Sequence, residues 1–281
     1  MKNDLEARRR EARKAELYNV KKNNRKMLLL SITSVSTFLI LWQMVVIYNI
    51  VDTRFLASPI DVIKAIILKM TSKTMDGGLL YQHIIESAKV VWLGFFTGAL
   101  IGVPLGLFMG WYKSFNRLVR PLFEVVRPIP ALAWIPIVLL FLGIGTEARV
   151  AIIFFGSFVA IVLNTYTGIQ LTNPSLINVA KTCGATNVEI FWRIGIPSAM
   201  PLIFAGFKIS MGASWATVVA AEMLAASKGL GYMIQIGRMF AEVDIIIAGI
   251  MVIGMMGLIS SWLVGLVESV VLKWRPKINE K

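Results

Sequence analysis

Charged residues are grouped between long apolar stretches along this 281-residue chain. A stretch of about 20 predominantly apolar residues is long enough to cross a bilayer as a helix. Six stretches meet this requirement, and they predict membrane-spanning helices at residues 27–50, 88–112, 123–145, 149–170, 196–222 and 244–272. The pattern predicts an all-α integral membrane protein whose membrane domain, residues 27–272, lies between two tails, residues 1–26 and 273–281.

Small residues recur at helical spacing inside three of the predicted spans. The second span has glycine at every fourth position, and the fifth and sixth spans have shorter versions of the pattern. The residues are Gly94, Gly98, Gly102, Gly106 and Gly110, then Gly206, Ser210 and Ser214, then Gly257, Ser261 and Gly265. Because the hydrophobic effect does not hold helices together in lipid, close approach through small residues has to do so. We predict that these faces are packed against other helices.

Prolines and polar residues interrupt the other spans. Three prolines, Pro128, Pro130 and Pro136, lie in the third span and predict an irregular helix that faces protein rather than lipid. Lys208 is expected to extend its ammonium group to the membrane surface. The polar residues that could line a translocation path are Asn164, Ser210, Ser214 and Glu222; a packing role is the alternative for each.

The net charge of +13 is distributed as in a membrane protein and not as in a nucleic-acid-binding protein. If residues 1–26 are cytoplasmic, the cytoplasmic segments hold twenty of the 29 lysines and arginines. This bias predicts that both termini are cytoplasmic. The composition agrees, since 57% of the residues are hydrophobic and 16% are charged. The basic tail is expected to face the lipid surface, with a docking arm as the alternative.

Several classes of site are absent from the sequence. A single cysteine and a single histidine provide neither a disulfide framework nor the usual ligands of a metal site. The glycine-rich loop that binds ATP phosphates is also missing. If the chain performs active transport, its energy has to come from another protein. A self-sufficient secondary transporter and a membrane enzyme remain alternatives, although neither midplane coupling charges nor a convergent polar cluster can be recognised in the sequence.

A half-polar loop, residues 172–195, connects the fourth and fifth spans. Gly184 divides it into two short predicted helices, and the second carries the apolar residues Val188, Phe191 and Trp192. We expect these three side chains to be exposed unless another element covers them. Two short helices that present apolar side chains are typical of a docking surface for a second protein. The alternative is a cap that folds back onto the spans of the same chain.

This loop resembles the EAA loop of ABC importer permeases. The matching residues are Ala180, Gly184, Ala185, Phe191, Ile194, Ile196, Pro197 and Pro201. The chain departs from the family pattern at Asn178, which replaces an acidic residue, and at Val179, which replaces an alanine. Other segments, such as RPIPALAWIPIVLLFLGIG and WATVVAAEMLAASKGLGYMIQ, resemble the permeases for taurine, alkanesulfonates, nitrate and bicarbonate.

The resemblance implies a type I importer permease in a bacterial inner membrane, which forms a homodimer and moves a small sulfonate or oxoanion. Separate ATPase subunits would bind the ATP, so the chain itself would need no cofactor, and an extracytoplasmic binding protein would deliver the substrate. Some relatives carry thiamine-precursor pyrimidines or aromatic acids, which are alternative substrates. The implied ATPase-coupling residues are Ala180, Gly184, Ala185, Glu189, Phe191, Trp192 and Pro197.

Overall fold

The computed structural model describes residues 27–274, except residues 28 and 53. The described residues form helices and turns without any strand, which confirms the predicted all-α fold. They divide into two compact units, one up to Lys64 and one from Ala65 onward. The first unit contains helix α1 (Leu29–Ile47), and helix α2 (Pro59–Thr71) crosses the boundary between the units. The predicted tails lie almost wholly outside the described residues.

The second unit contains the remaining helices. These are α3 (Leu80–Trp111), α4 (Lys113–Val126), α5 (Ile135–Leu142), α6 (Thr146–Gln170), α7 (Pro174–Thr182), α8 (Asn187–Ile190), α9 (Ile196–Ala225), α10 (Leu230–Met239) and α11 (Val243–Val271). A π-helical turn joins α8 to α9, so that Asn187–Ala225 is one helical run of 39 residues. Within the described part of the chain, this run and α1, α3, α6 and α11 are long and apolar enough to cross a membrane.

The third predicted span is broken instead of continuous. It consists of the end of α4, a 3₁₀ turn (Ala131–Trp134) and α5, and the helical segments on either side of the break are bent by 85°. Pro128 and Pro130 lie at the break, where they cannot donate the backbone hydrogen bonds that would continue α4. Pro136 lies in the first turn of α5, where an amide donor is not needed. The sequence placed the irregularity correctly but did not show its size.

The glycine repeat of α3 packs directly against α6. A Cβ atom added to Gly94 would lie 2.6 Å from the Cβ of Ile153, and one added to Gly106 would lie 2.7 Å from the Cβ of Thr165. The other three glycines face Ser157, Ile161 and Ile169 of the same helix. The two backbones therefore approach more closely than any side chain on α3 would allow, which confirms the predicted packing face.

Helix α6 packs with its other side on α9, and α11 packs less closely. A Cβ atom on Gly206 of α9 would lie 2.7 Å from the Cβ of Asn164 on α6. On α11, by contrast, a Cβ atom on Gly257 would lie 3.8 Å from Trp215, which is an ordinary van der Waals distance. The core of the second unit is thus the layer α3–α6–α9, and the small-residue pattern of α11 does not mark an equally close contact.

Lys208 of α9 forms an ion pair with Glu268 of α11. A Cβ atom on Gly265 would lie 3.6 Å from the Cε of Lys208, so the glycine leaves room for the lysine side chain beside α11. The expectation that Lys208 extends only to the membrane surface is therefore incomplete. Its ammonium group has an anionic partner, although the lysine side chain is 43% exposed and that of Glu268 22%.

We expect Lys208→Met to lower the free energy of unfolding by about 1–2 kcal/mol, because it leaves the Glu268 carboxylate without its partner near lipid. The double variant Lys208→Met/Glu268→Leu should recover most of that loss, since it removes both charges together. Unfolding in mixed detergent micelles, followed for the four proteins of the double-mutant cycle, measures the coupling. Additive effects of the two substitutions would contradict a functional ion pair.

Candidate functional site

The loop between α6 and α9 begins with a helix whose two ends are capped. The Asn173 side chain accepts a hydrogen bond from the amide of Ser175 (2.9 Å), which fixes the start of α7. At the other end Gly184 has a φ of +81°, its amide donates to Lys181 O, and the amide of Ala185 donates to Ala180 O, both at 3.0 Å. This pair of bonds is the Schellman motif, in which glycine is favoured because other residues are strained at positive φ.

The second helix of the loop starts immediately afterwards. The Thr186 hydroxyl accepts from the amide of Glu189 (3.3 Å), and the Glu189 carboxylate accepts from the amide of Thr186 (2.8 Å), which together form a capping box. The hydrogen bonds from the backbone and side chain of Thr186 lower the pKa of the Glu189 carboxyl. The cap that ends α7 and the cap that starts α8 both lie within three residues of Gly184. The turn between the two helices is therefore held in one geometry, like an elbow. We call residues 174–191 the coupling elbow.

Trp192, directly after the coupling elbow, is exposed, but Phe191 is not. Trp192 is 64% exposed, and Val188 is 58% exposed. Phe191 is only 4% exposed, because its ring packs between Trp111 and Phe108 of α3, with ring centroids 5.3 and 6.1 Å away. Phe191 is therefore covered by another element, α3, and its ring packs the coupling elbow against the end of that helix. A part for Phe191 in ATPase coupling remains a prediction.

Four of the other predicted coupling residues line a groove at the coupling elbow. Its volume is about 290 Å³, and its lining includes Ala180, Gly184, Ala185 and Glu189. Pro197 lies in the first turn of α9, just after the π-helical turn Phe191–Gly195. Because proline cannot donate to the carbonyl four residues earlier, the helix accommodates it by the wider turn. Ala180, Gly184, Ala185 and Glu189 thus lie close together, and Phe191 is turned inward.

Three of the polar candidates for a translocation path are buried or half-buried within this chain. Ser210 and Ser214 are fully buried, and their hydroxyls donate to the carbonyls of Phe207 (3.0 Å) and Ser210 (2.8 Å) of their own helix. Asn164 is half-buried and its amide nitrogen donates to Ala160 O at 2.8 Å. Each of these side chains donates to a backbone carbonyl of its own helix, as polar residues at a helix packing surface commonly do. A path-lining role for the three remains a prediction.

Glu222, the fourth candidate, is fully buried near the end of α9, beside the start of α10. Its carboxylate accepts from the amide of Gly231 and from the hydroxyl of Ser87, both at 2.8 Å. A Cβ atom on Gly229 would lie 2.4 Å from its carboxyl carbon, so only glycine fits beside it. Arg149 of α6 approaches the second carboxylate oxygen to 3.9 Å. This residue is held inside the protein and does not line an open mouth.

The polar cluster around Glu222 continues to the loop before α3. His83 lies in the first turn of α3 and is fully buried, with Nδ1 3.1 Å from the amide nitrogen of Gly229 and Nε2 3.2 Å from Asp76. Asp76 also pairs with the buried ammonium group of Lys69. Burial alone would raise the pKa of the Asp76 carboxyl, but the contacts with His83 and Lys69 lower it well below its usual range.

Sequence reasoning missed this cluster. The cluster was not recognised because its members come from five separate elements: α2, the segment before α3, then α3, α6 and α9. One local signal was present, namely two glycines, Gly229 and Gly231, shortly after an acidic residue in an apolar stretch. Such glycines mark a close approach to the backbone.

Five long apolar helical runs and a broken sixth segment are those of a multi-span membrane protein. Comparison with known families makes this specific. Residues 102–273 match the model of the binding-protein-dependent transport system inner membrane component. The chain belongs to this family, and it is an inner-membrane transport subunit, not an enzyme.

Individual relatives cover most of the chain. A putative ABC transporter permease of Methanocaldococcus jannaschii is 33% identical over 90% of this chain and 95% of its own length. The taurine transport system permease protein TauC of Escherichia coli is 30% identical over 80% and 82%. The nitrate import permease protein NrtB of Leptolyngbya laminosa is 33% identical over 69% of both chains.

A solved structure shows the same fold. The inward-facing MetNI methionine ABC transporter superposes with a TM-score of 0.57, at 19% sequence identity, over 68% of this chain and 95% of the solved chain. At this identity the likeness concerns the fold alone.

Proposed function

We propose that the chain forms, as a homodimer with cytoplasmic termini, the membrane pathway of an ATP-driven importer for a small sulfonate or a related oxoanion. The observation that carries the substrate class is the similarity to the taurine and nitrate permeases. The burial of Glu222 removes an objection to an anionic substrate. An exposed carboxylate in the path would repel an anion, whereas this one lies inside the protein beside Arg149.

ATP-driven movement enters, in this proposal, through the coupling elbow. The elbow is capped at both helices, adjoins the exposed Trp192, and leads without a break into the run that ends at Ala225. A rigid elbow moves as one piece when a partner protein pushes on it, and the continuous helix passes that displacement into the membrane. The partners are a separate ATPase, docked at the elbow, and an extracytoplasmic binding protein on the opposite side.

The substrate class is tested by uptake into vesicles that contain the chain, its cognate ATPase and its binding protein. We expect ATP-dependent accumulation of radiolabelled taurine or of another small sulfonate or oxoanion, and none without the ATPase. Thiamine-precursor pyrimidines and aromatic acids are the competing substrates in the same assay. Accumulation of one of these instead would contradict the proposed class. Uptake by the chain alone without ATP would show a secondary transporter.

Because Trp192 is exposed and Phe191 is buried, we expect alanine substitutions at the two residues to affect different properties. Trp192→Ala should weaken binding of the ATPase by about 30-fold or more, since exposed tryptophans at interfaces often contribute 2 kcal/mol or more to affinity, and should leave thermal stability unchanged. Phe191→Ala should instead lower the free energy of unfolding by about 3–5 kcal/mol, because it empties a buried aromatic site. Surface plasmon resonance and thermal unfolding in detergent measure the two effects. Equal loss of ATPase binding at equal stability for both variants would contradict this division of roles.

A further inference from the structure

Three consecutive backbone amides at the start of α10 each donate to a buried side chain from another element. Gly229 donates to His83 (3.1 Å), Leu230 donates to the Ser87 hydroxyl (2.8 Å), and Gly231 donates to Glu222 (2.8 Å). The first amides of a helix have no partner within the helix, so they need such acceptors. Two of the acceptors lie on α3 and one lies near the end of α9. The start of α10 is therefore fastened to both helices at once.

The fastening depends on the position of α9 relative to α3. The Ser87 hydroxyl, which accepts from Leu230, donates to the same Glu222 oxygen that accepts from Gly231. A shift of α9 along α3 would separate these groups and leave amides or the carboxylate without partners in a buried place, which is costly. Gly231 adds a steric constraint, because a Cβ atom there would lie 2.5 Å from the carbonyl oxygen of Val219 on α9.

Glu222 also lies in the same helical run as the end of the coupling elbow. The run Asn187–Ala225 contains both Glu189 and Glu222, which are 33 residues apart. At the helical rise of 1.5 Å per residue, this corresponds to about 50 Å. One end of the run is exposed and the other holds the start of α10. A displacement of the elbow is therefore applied, through one continuous helix, to the group that caps α10.

We propose that Ser87, His83 and Glu222 are positioning residues that link the placement of α10 to the coupling elbow. This inference rests on the proposed coupling function of the elbow. When α9 moves relative to α3, the shared cap opens and α10 is released; when α9 returns, the cap closes and α10 is fixed. Because energetic coupling is reciprocal, weakening the cap also changes the elbow, even with no ATPase bound.

The reciprocity can be tested on the purified permease alone. We expect Ser87→Ala to make amide exchange in residues 229–231 at least about tenfold faster, since Leu230 loses its acceptor. Glu222→Gln keeps an acceptor oxygen, so we expect its amide exchange rate in residues 229–231 to lie between the rates of Ser87→Ala and of the wild type. The matched control is Ser157→Ala: Ser157 is also fully buried, but its hydroxyl donates to the carbonyls of Gly94 and Phe154. It should leave this exchange unchanged.

A change at the coupling elbow in the same variants can be detected with a spin label on a native cysteine. Cys183 is the single cysteine of the chain and is exposed next to Gly184, so a spin label can be attached without engineering. We expect the mobility of this label to change in Ser87→Ala and not in Ser157→Ala. Unchanged label mobility in Ser87→Ala would overturn the link, and unchanged exchange at residues 229–231 would overturn the cap itself. Binding of the ATPase to unlabelled wild type, measured separately, tests the proposed function independently of both results.

Discussion

Gly184→Pro should lower the affinity of the chain for its ATPase at least about 100-fold. Proline requires a φ near −65°, whereas Gly184 has +81°, and proline also removes the amide that donates to Lys181. The Schellman motif that ends α7 cannot form, so the two halves of the coupling elbow lose their mutual orientation. A docking surface made of two short helices depends on that orientation. Pull-down of the ATPase and titration of the purified permease measure the loss.

Gly143→Pro is the matched control, because Gly143 is the same kind of position at another place. It has a φ of +70°, and its amide donates to Leu139 O at 3.0 Å, which is also the distance from Gly184 to Lys181. Proline therefore causes a similar loss here, of a positive φ and of one backbone hydrogen bond, but in the turn between α5 and α6. We expect Gly143→Pro to retain ATPase binding in the folded fraction. Equal binding by both variants would refute the assignment of the coupling elbow.

Gly184 illustrates what the sequence can predict. A glycine that ends a short apolar-periodic helix is a local signal, and the structure confirms a helix end with positive φ at this residue. The spans were predictable for the same reason, since length and apolar composition are properties of single segments. Even the break in the third span was indicated by Pro128 and Pro130. Its 85° bend was not, because the angle depends on what packs against the two halves.

Phe191 illustrates what the sequence cannot predict. It is adjacent to Trp192 in an exposed loop, and neither residue type nor spacing indicates that one is buried and the other exposed. The difference is made by Trp111 and Phe108, which lie about 80 residues earlier and meet Phe191 only in the folded chain. The polar cluster of Glu222, Ser87 and His83 was missed for the same reason. Contacts between distant segments require the tertiary structure.

Gly106→Ala should lower the free energy of unfolding by about 1–3 kcal/mol, although alanine is the better helix former. The added Cβ would lie 2.8 Å from the carbonyl oxygen of Val162, which belongs to the backbone of α6 and cannot rotate away. Gly94→Ala meets the Cβ of Ile153 at 2.6 Å, three turns earlier on the same face. Because the two sites are well separated, the double variant should lose roughly the sum of the two effects. Unfolding in mixed micelles gives the values.

Gly254→Ala distinguishes close packing from a general intolerance of alanine in the membrane domain. Gly254 lies within α11, and a Cβ atom there would meet nothing within 4 Å. Alanine at this position should be neutral or slightly stabilising, because it restricts the unfolded chain more than glycine does. If Gly254→Ala were as destabilising as Gly106→Ala, the close approach of α3 and α6 would not be the cause. The contrast between the two sites therefore tests whether the glycine repeat fixes α3 to α6.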